Sequence, residues 1–173
     1  MTKQNNPMTA EMISQEIANF RQQQKTLILA TLSAASPNHQ PLASYAPFIE
    51  DETGNFYLLL SGLAAHSTNL QQHQTEQSPM SVLLIEDEKT SRNLFARKRL
   101  TYICEVSVWS REHPQWQSVI DRLQAKFGKT IEVLAGLGDF NLYCLMPGQG
   151  NYVRGFGQAY ELKDARLPIP ISK

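Results

Sequence analysis

Apolar residues recur along this chain with two alternating periods, and the switches between them mark its elements. Ile13, Ile17 and Phe20 fall at helical spacing, which predicts an amphipathic helix over residues 9–24 with a glutamine-rich outer face. Residues 26–32 are apolar and strand-like, 33–40 read as a connection, and 41–49 as a second strand. After a turn at 51–55, the continuous apolar run 56–60 has the pattern of a strand buried on both faces. Ser61 and Gly62 break it, a helix is predicted over 64–73, and a strand over 81–85.

A charged loop follows at 86–93. Leu100, Tyr102, Cys104, Val106 and Val108 then alternate strictly, which predicts one long strand over 97–109. Trp116, Val119, Ile120, Leu123 and Phe127 return to the helical period, with Pro114 near the start of that helix and Gly128 at its end. Residues 130–137 suggest a short further helix. Two strands, 141–146 and 152–162, are predicted around a turn at 147–151, and the Pro-containing 167–170 fits neither a helix nor a central strand.

Six or seven strands, few helices and no glycine-rich strand-to-helix fingerprint predict a mainly β fold with flanking helices: a closed antiparallel split β-barrel. At 173 residues the chain suits a single domain, with flexible ends expected at 1–8 and 165–173. A barrel of this size is filled by its own side chains, so a sizeable ligand must sit on the rim or between two copies, which favours a homodimer.

Charge narrows the partners. The 16 basic and 16 acidic residues cancel, so no overall field favours nucleic acid or an anionic membrane, and any anion site must be local. No apolar run approaches the roughly 20 residues of a membrane helix, and no signal-type leader is evident, so a cytoplasmic protein is expected. Cys104 and Cys144 lie in strand-like runs without metal-ligand spacing, and are expected as buried free thiols.

Three short signatures interrupt the β-type runs with polar or glycine positions: SYAPF at 44–48, FARKRLTY at 95–102 and RGFGQAY at 154–160. Glycine within a strand marks a bulge or a close approach. Clustered Arg and Lys offer donors for carboxylates or phosphates. Taken in order with KTLILATL at 25–32, these motifs resemble the pyridoxamine-5'-phosphate-oxidase-like FMN-binding split-barrel superfamily, and within it the haem-utilisation branch, over nearly the whole chain.

The resemblance implies a dimer with two equivalent ligand sites at the subunit interface. Flavin-binding members hold the FMN phosphate with Arg and Lys at the start of the helix after the third strand, where this chain has Ala65 and His66. The haem branch carries a His in that helix and a basic residue that reaches the haem propionates, which here are His66 and Arg99. It also has an Asp matched by Asp139, near the iron ligand. Haem relatives end in a segment with an iron-ligating His, whereas the last His here is His113.

Each candidate has a plainer reading. His66 is either a haem-iron ligand, a distal donor or a helix-start residue. Arg97 and Arg99 are read on one strand face and Lys98 on the other, as ligand contacts or as a solvated rim. Arg154 is a weaker second candidate. Tyr45, Phe156 and Tyr160 can stack on a flat ligand, although packing is expected for Tyr160. Ser44, Ser61 and Ser67 can donate to a propionate or phosphate, or satisfy nearby backbone. His39 and His113 are expected in solvent, His73 lacks further ligands for zinc, and Asp139 is either catalytic or a turn residue.

The leading expectation is therefore a haem-binding homodimer, with possible oxygen-dependent ring opening supported by an electron donor yet to be identified. The alternatives are an FMN-linked oxidoreductase, in which Ser61, Ser67 and Arg99 hold the cofactor, and a non-catalytic ligand carrier. No Cys-His or Ser-His-Asp arrangement recommends hydrolysis.

Overall fold

The computed structural model describes residues 9–34, 39–163 and 167–170. The chain opens with α1 (Ala10–Gln23), capped by the Thr9 hydroxyl, which accepts from the Met12 N–H at 3.3 Å. Its predicted apolar residues Ile13, Ile17 and Phe20 are all buried.

The strands are β1 (Thr26–Leu32), β2 (Pro41–Pro47), β3 (Ile49–Glu50), β4 (Phe56–Ser61), β5 (Met80–Ile85), β6 (Arg99–Trp109), β7 (Phe140–Gly155), β8 (Gln158–Lys163) and β9 (Leu167–Pro170). They pair antiparallel in the order β2-β1-β5-β6-β7-β4-β3. Because β3 resumes one residue after β2, the two ends of that path are one segment, and the sheet closes on itself. The expected strand 41–49 is thus interrupted at Phe48. There the N–H donates to Lys25 O at 3.2 Å, and the carbonyl accepts from Lys126 Nζ at 3.0 Å.

The described strands number nine rather than six or seven. The break at Phe48 adds one, and 167–170 adds an edge strand on β8, where proline is tolerated, within a segment expected to be flexible. The other expected flexible residues lie outside those described. Residues 147–151, expected as a turn, are strand. β7 runs straight through them, pairing its first half with β4 and its second with β8, and the reversal falls at Phe156 and Gly157.

The register against β6 explains this. Tyr102 faces Gly150 and Cys104 faces Pro147, so Gly148 and Gln149 bulge opposite Ile103. A Cβ on Gly150 would lie 2.5 Å from Thr101 O and 2.6 Å from the Tyr102 ring, so only glycine fits. The glycines that read as turn formers serve a close crossing.

Three further helices pack outside: α2 (Ala65–Glu76), α3 (Trp116–Phe127) and α4 (Thr130–Gly136). β4 is buried on both faces, as its apolar run predicts. Phe56, Leu58 and Leu60 enter the barrel core with Leu100, Tyr102 and Tyr152, while Tyr57 and Leu59 meet Trp116, Val119, Ile120 and Leu123 of α3. Each such side chain removed from water contributes about 1.5–3 kcal/mol. Both cysteines are buried free thiols, and burial pushes the Cys144 thiol up to about 11. His113 departs from expectation: it is half-buried and stacked on Trp109, with ring centroids 3.7 Å apart.

Candidate ligand-binding site

β4 ends at Ser61, and the chain turns at once into α2. Ser61 Oγ donates to Asp139 Oδ2 at 2.6 Å, and the Gly62 N–H donates to Asp139 O at 2.6 Å. A Cβ on Gly62 would sit 3.0 Å from that carbonyl, so the glycine allows the α4–β7 connection to close over the turn. Asp139 is thereby fixed beside the start of α2, and Ser61 is committed to it.

One turn along, His66 Nδ1 and Ser44 Oγ share a hydrogen bond at 3.2 Å. This leaves Nε2 without a partner among the described residues. The ring is half-buried, and burial lowers its pKa, so the imidazole is neutral near pH 7 and able to ligate. Ser67 is fully buried, and its hydroxyl has no hydrogen-bond partner. Ala64 provides no side-chain cap; the Ser67 N–H turns back to Ala64 O at 2.9 Å, while the Ala65 and His66 N–H groups have no capping side chain.

The helix carrying these groups is held by polar contacts. Asn69 Nδ2 donates to Thr31 Oγ1 at 2.9 Å while its Oδ1 accepts from the Ala34 N–H at 2.9 Å. His73 Nε2 accepts from the Leu32 N–H at 3.3 Å, and its Nδ1 is 2.9 Å from Ser78 Oγ. These two buried side chains tie α2 to the end of β1. Asn69 carries little signal in the sequence, only that of a polar residue beside the lone buried leucine of a short helix.

The basic candidates separate by what they are bonded to. Arg97 lies before β6 rather than on it, donates from Nε to Glu86 O at 2.9 Å and pairs with Glu88 at 3.1 Å. Lys98 Nζ and Arg154 Nε both reach Glu16, at 2.9 and 2.7 Å, and Tyr152 donates to the same carboxylate at 2.9 Å. Burial would raise the Glu16 pKa, but those three partners hold it below its ordinary value. Glu16 was not foreseen, because its partners meet it only through the fold. Arg99 is different: its described hydrogen bond is from Nη1 to Arg97 O at 3.3 Å, which leaves most of its guanidinium unused.

His66 and Arg99 stand apart within one chain. Ser44 is level with Leu29, Val82 and Tyr102 across the sheet, whereas Arg99 lies three residues from Tyr102 along β6. Strand spacing places Ser44 and Arg99 on the order of 15 Å apart. Leu100 and Tyr102 point into the barrel, so Arg99 faces outward, while Ser44 shares the inward face of buried Ala46. Tyr45 and Phe156 are exposed, each 69% accessible, and Tyr160 packs on Tyr152 in the core.

Residues 13–154 match the family described as pyridoxamine 5'-phosphate oxidase. The chain belongs to that family. Among its relatives, heme oxygenase HutZ of Vibrio cholerae is 42% identical over 147 residues, covering 85% of this chain and 79% of HutZ. The crystal structure of HutZ, described as a heme storage protein, superposes with a TM-score of 0.70 at 39% identity, over 82% of this chain and 92% of that one. ChuZ of Campylobacter jejuni superposes with a TM-score of 0.81 at 26% identity, covering 94% of this chain and 63% of ChuZ. The family's split barrel is the fold described above.

Proposed function

We propose that two copies of this chain bind haem in a cleft between them, His66 of one copy facing the iron and Arg99 of the other pairing a propionate. The observation that carries the reading is the His66 imidazole: kept neutral by burial, anchored through Nδ1 to Ser44, and left with a free Nε2. The placing of Arg99 on the outward face of the sheet, and of the His66 anchor Ser44 on the inward face, supports the second copy. The HutZ relative, named a heme oxygenase, supports haem as the ligand.

Bound haem would supply oxygen activation and electron acceptance at the iron. The chain's own part is to orient the macrocycle through Arg99, to restrict solvent around the half-buried His66, and to hold the Asp139 carboxylate beside the helix start for proton handling. Ring opening consumes electrons, so turnover requires a separate donor, and a cytoplasmic location suits such a partner. The unpaired Ser67 hydroxyl and the absence of a side-chain cap over the Ala65 and His66 N–H groups favour a second reading, a flavin phosphate at the same place.

Titration of the purified protein with haem and, separately, with FMN tests both. A saturable, shifted Soret band is expected, altered in position by His66→Ala. Arg99→Ala should weaken affinity by about tenfold or more, the cost of a charge-assisted pair worth roughly 1.5–3 kcal/mol. A Soret spectrum identical in wild type and His66→Ala rejects His66 as the iron-facing residue, and tight FMN binding with no Soret shift selects the flavin.

A further inference from the structure

A cavity of about 480 Å3 opens between the C-terminal ends of α1 and α3, well away from the α2 turn. Arg21 of α1 and Arg122 and Lys126 of α3 line it, together with Phe48 and Glu50 of the barrel. We propose that this cleft is a binding site for a small oxyanion, a phosphate group either free or carried on a small metabolite.

The charges inside it do not cancel. Glu50 is the carboxylate among the lining residues, and it is already paired with Arg21, Nη2 to Oε1 at 2.9 Å. Arg122 Nη2 instead donates to the main-chain Glu50 O at 2.6 Å, and Lys126 Nζ to Gln24 O and Phe48 O at 3.1 and 3.0 Å. Carbonyl dipoles fix the positions of these two cations without neutralising them. Lys126 is further held over the Phe48 ring, 4.8 Å from its centroid. Burial opposes charge on Lys126, Glu50 favours it and nearby Lys25 again opposes it, with the pKa lowered on balance. An additional anion in the cleft relieves this imbalance.

Unspent donors accompany the charge. Arg21 Nε is buried and has no hydrogen-bond partner. The guanidinium of Arg122 has further N–H groups beyond the one used, in the forked geometry that matches phosphate. The cations are ordered before a ligand arrives, so little side-chain freedom is lost on binding. Phosphate and a phosphate monoester both fit the volume, and share the chemistry that recognises them.

Isothermal titration at constant ionic strength, set with sodium chloride, tests the proposal using orthophosphate and glycerol phosphate as probes. Saturable binding is expected to at least one, tighter for orthophosphate if the natural ligand is the free ion and tighter for the ester if it is a metabolite. Arg122→Gln, at an exposed position, should weaken it about tenfold or more, one charge-assisted hydrogen bond to an anion. Lys129→Gln makes the same change in net charge outside the cleft and should leave binding intact. The proposal is overturned if wild type gives no saturable heat with either probe, or if the two variants weaken binding equally.

Discussion

Glu16 shows how a single side chain decides which neighbours remain available. It takes Lys98, Arg154 and the Tyr152 hydroxyl, and so withdraws Arg154, one of the basic residues that the sequence offered as ligand contacts. Its folded pKa is depressed, so its contribution is complete above the ordinary glutamate value of 4.5 and is lost as pH falls through the lower folded value. Glu16→Gln should therefore be less stable than wild type at neutral pH, with the gap narrowing on acidification. Urea unfolding midpoints measured at several pH values check this; a constant gap would mean that the carboxylate's charge is not what stabilises the cluster. The places of His66 at the start of α2, Arg99 on β6 and Asp139 just before β7 were legible in the sequence because motifs carry them. Glu16 and Asn69 were not, since nothing in a polar helix face announces which distant groups will reach it.

Among the elements, the amphipathic helices followed directly from spacing: α1 buries Ile13, Ile17 and Phe20, and α3 buries Trp116, Val119, Ile120 and Leu123. β4 was equally plain, because a strand between two cores must be apolar on both faces. β7 was misread. A run of Pro, Gly and Asn ordinarily makes a turn, and only the partner strand reveals that Gly150 is there to let Thr101 and Tyr102 approach. Gly150→Ala should destabilise the protein by roughly 1–3 kcal/mol through overpacking, whereas Gly138→Ala, where a Cβ meets nothing within 4 Å, should be close to neutral. Thermal unfolding of the pair distinguishes a packing requirement from a general preference for glycine in this region.

At the scale of the molecule, two adjoining rows of outward positions across β2, β1, β5 and β6 form a mainly apolar strip. Tyr45, Ile28, Leu83 and Thr101 share one row of the register, and Ala43, Ala30, Ser81 and Ile103 the next. Tyr45 is 69% exposed and Ile103 45%, in a chain with balanced charge. This is the surface on which a second copy is expected, because contiguous apolar area mostly marks an interaction site. Ile103→Asp should abolish the proposed dimer in sedimentation and reduce haem affinity with it. A monomeric variant that bound haem as tightly as wild type would place the whole site within one subunit. The barrel was legible from its run of strand patterns without a glycine-rich fingerprint, although the count was two short or more, but the offset between Ser44 and Arg99 emerges only from the register.

The interruption at Phe48 makes the barrel a hoop with one buckle. Every other strand joint is a ladder of repeated main-chain bonds, while here the circle passes through a residue whose N–H and C=O are both held from outside the ladder, one by Lys25 and the other by the Lys126 ammonium. At this one point the circle is continued by the covalent chain instead of a ladder, and a lysine from a surface helix takes the carbonyl that a neighbouring strand would otherwise bind.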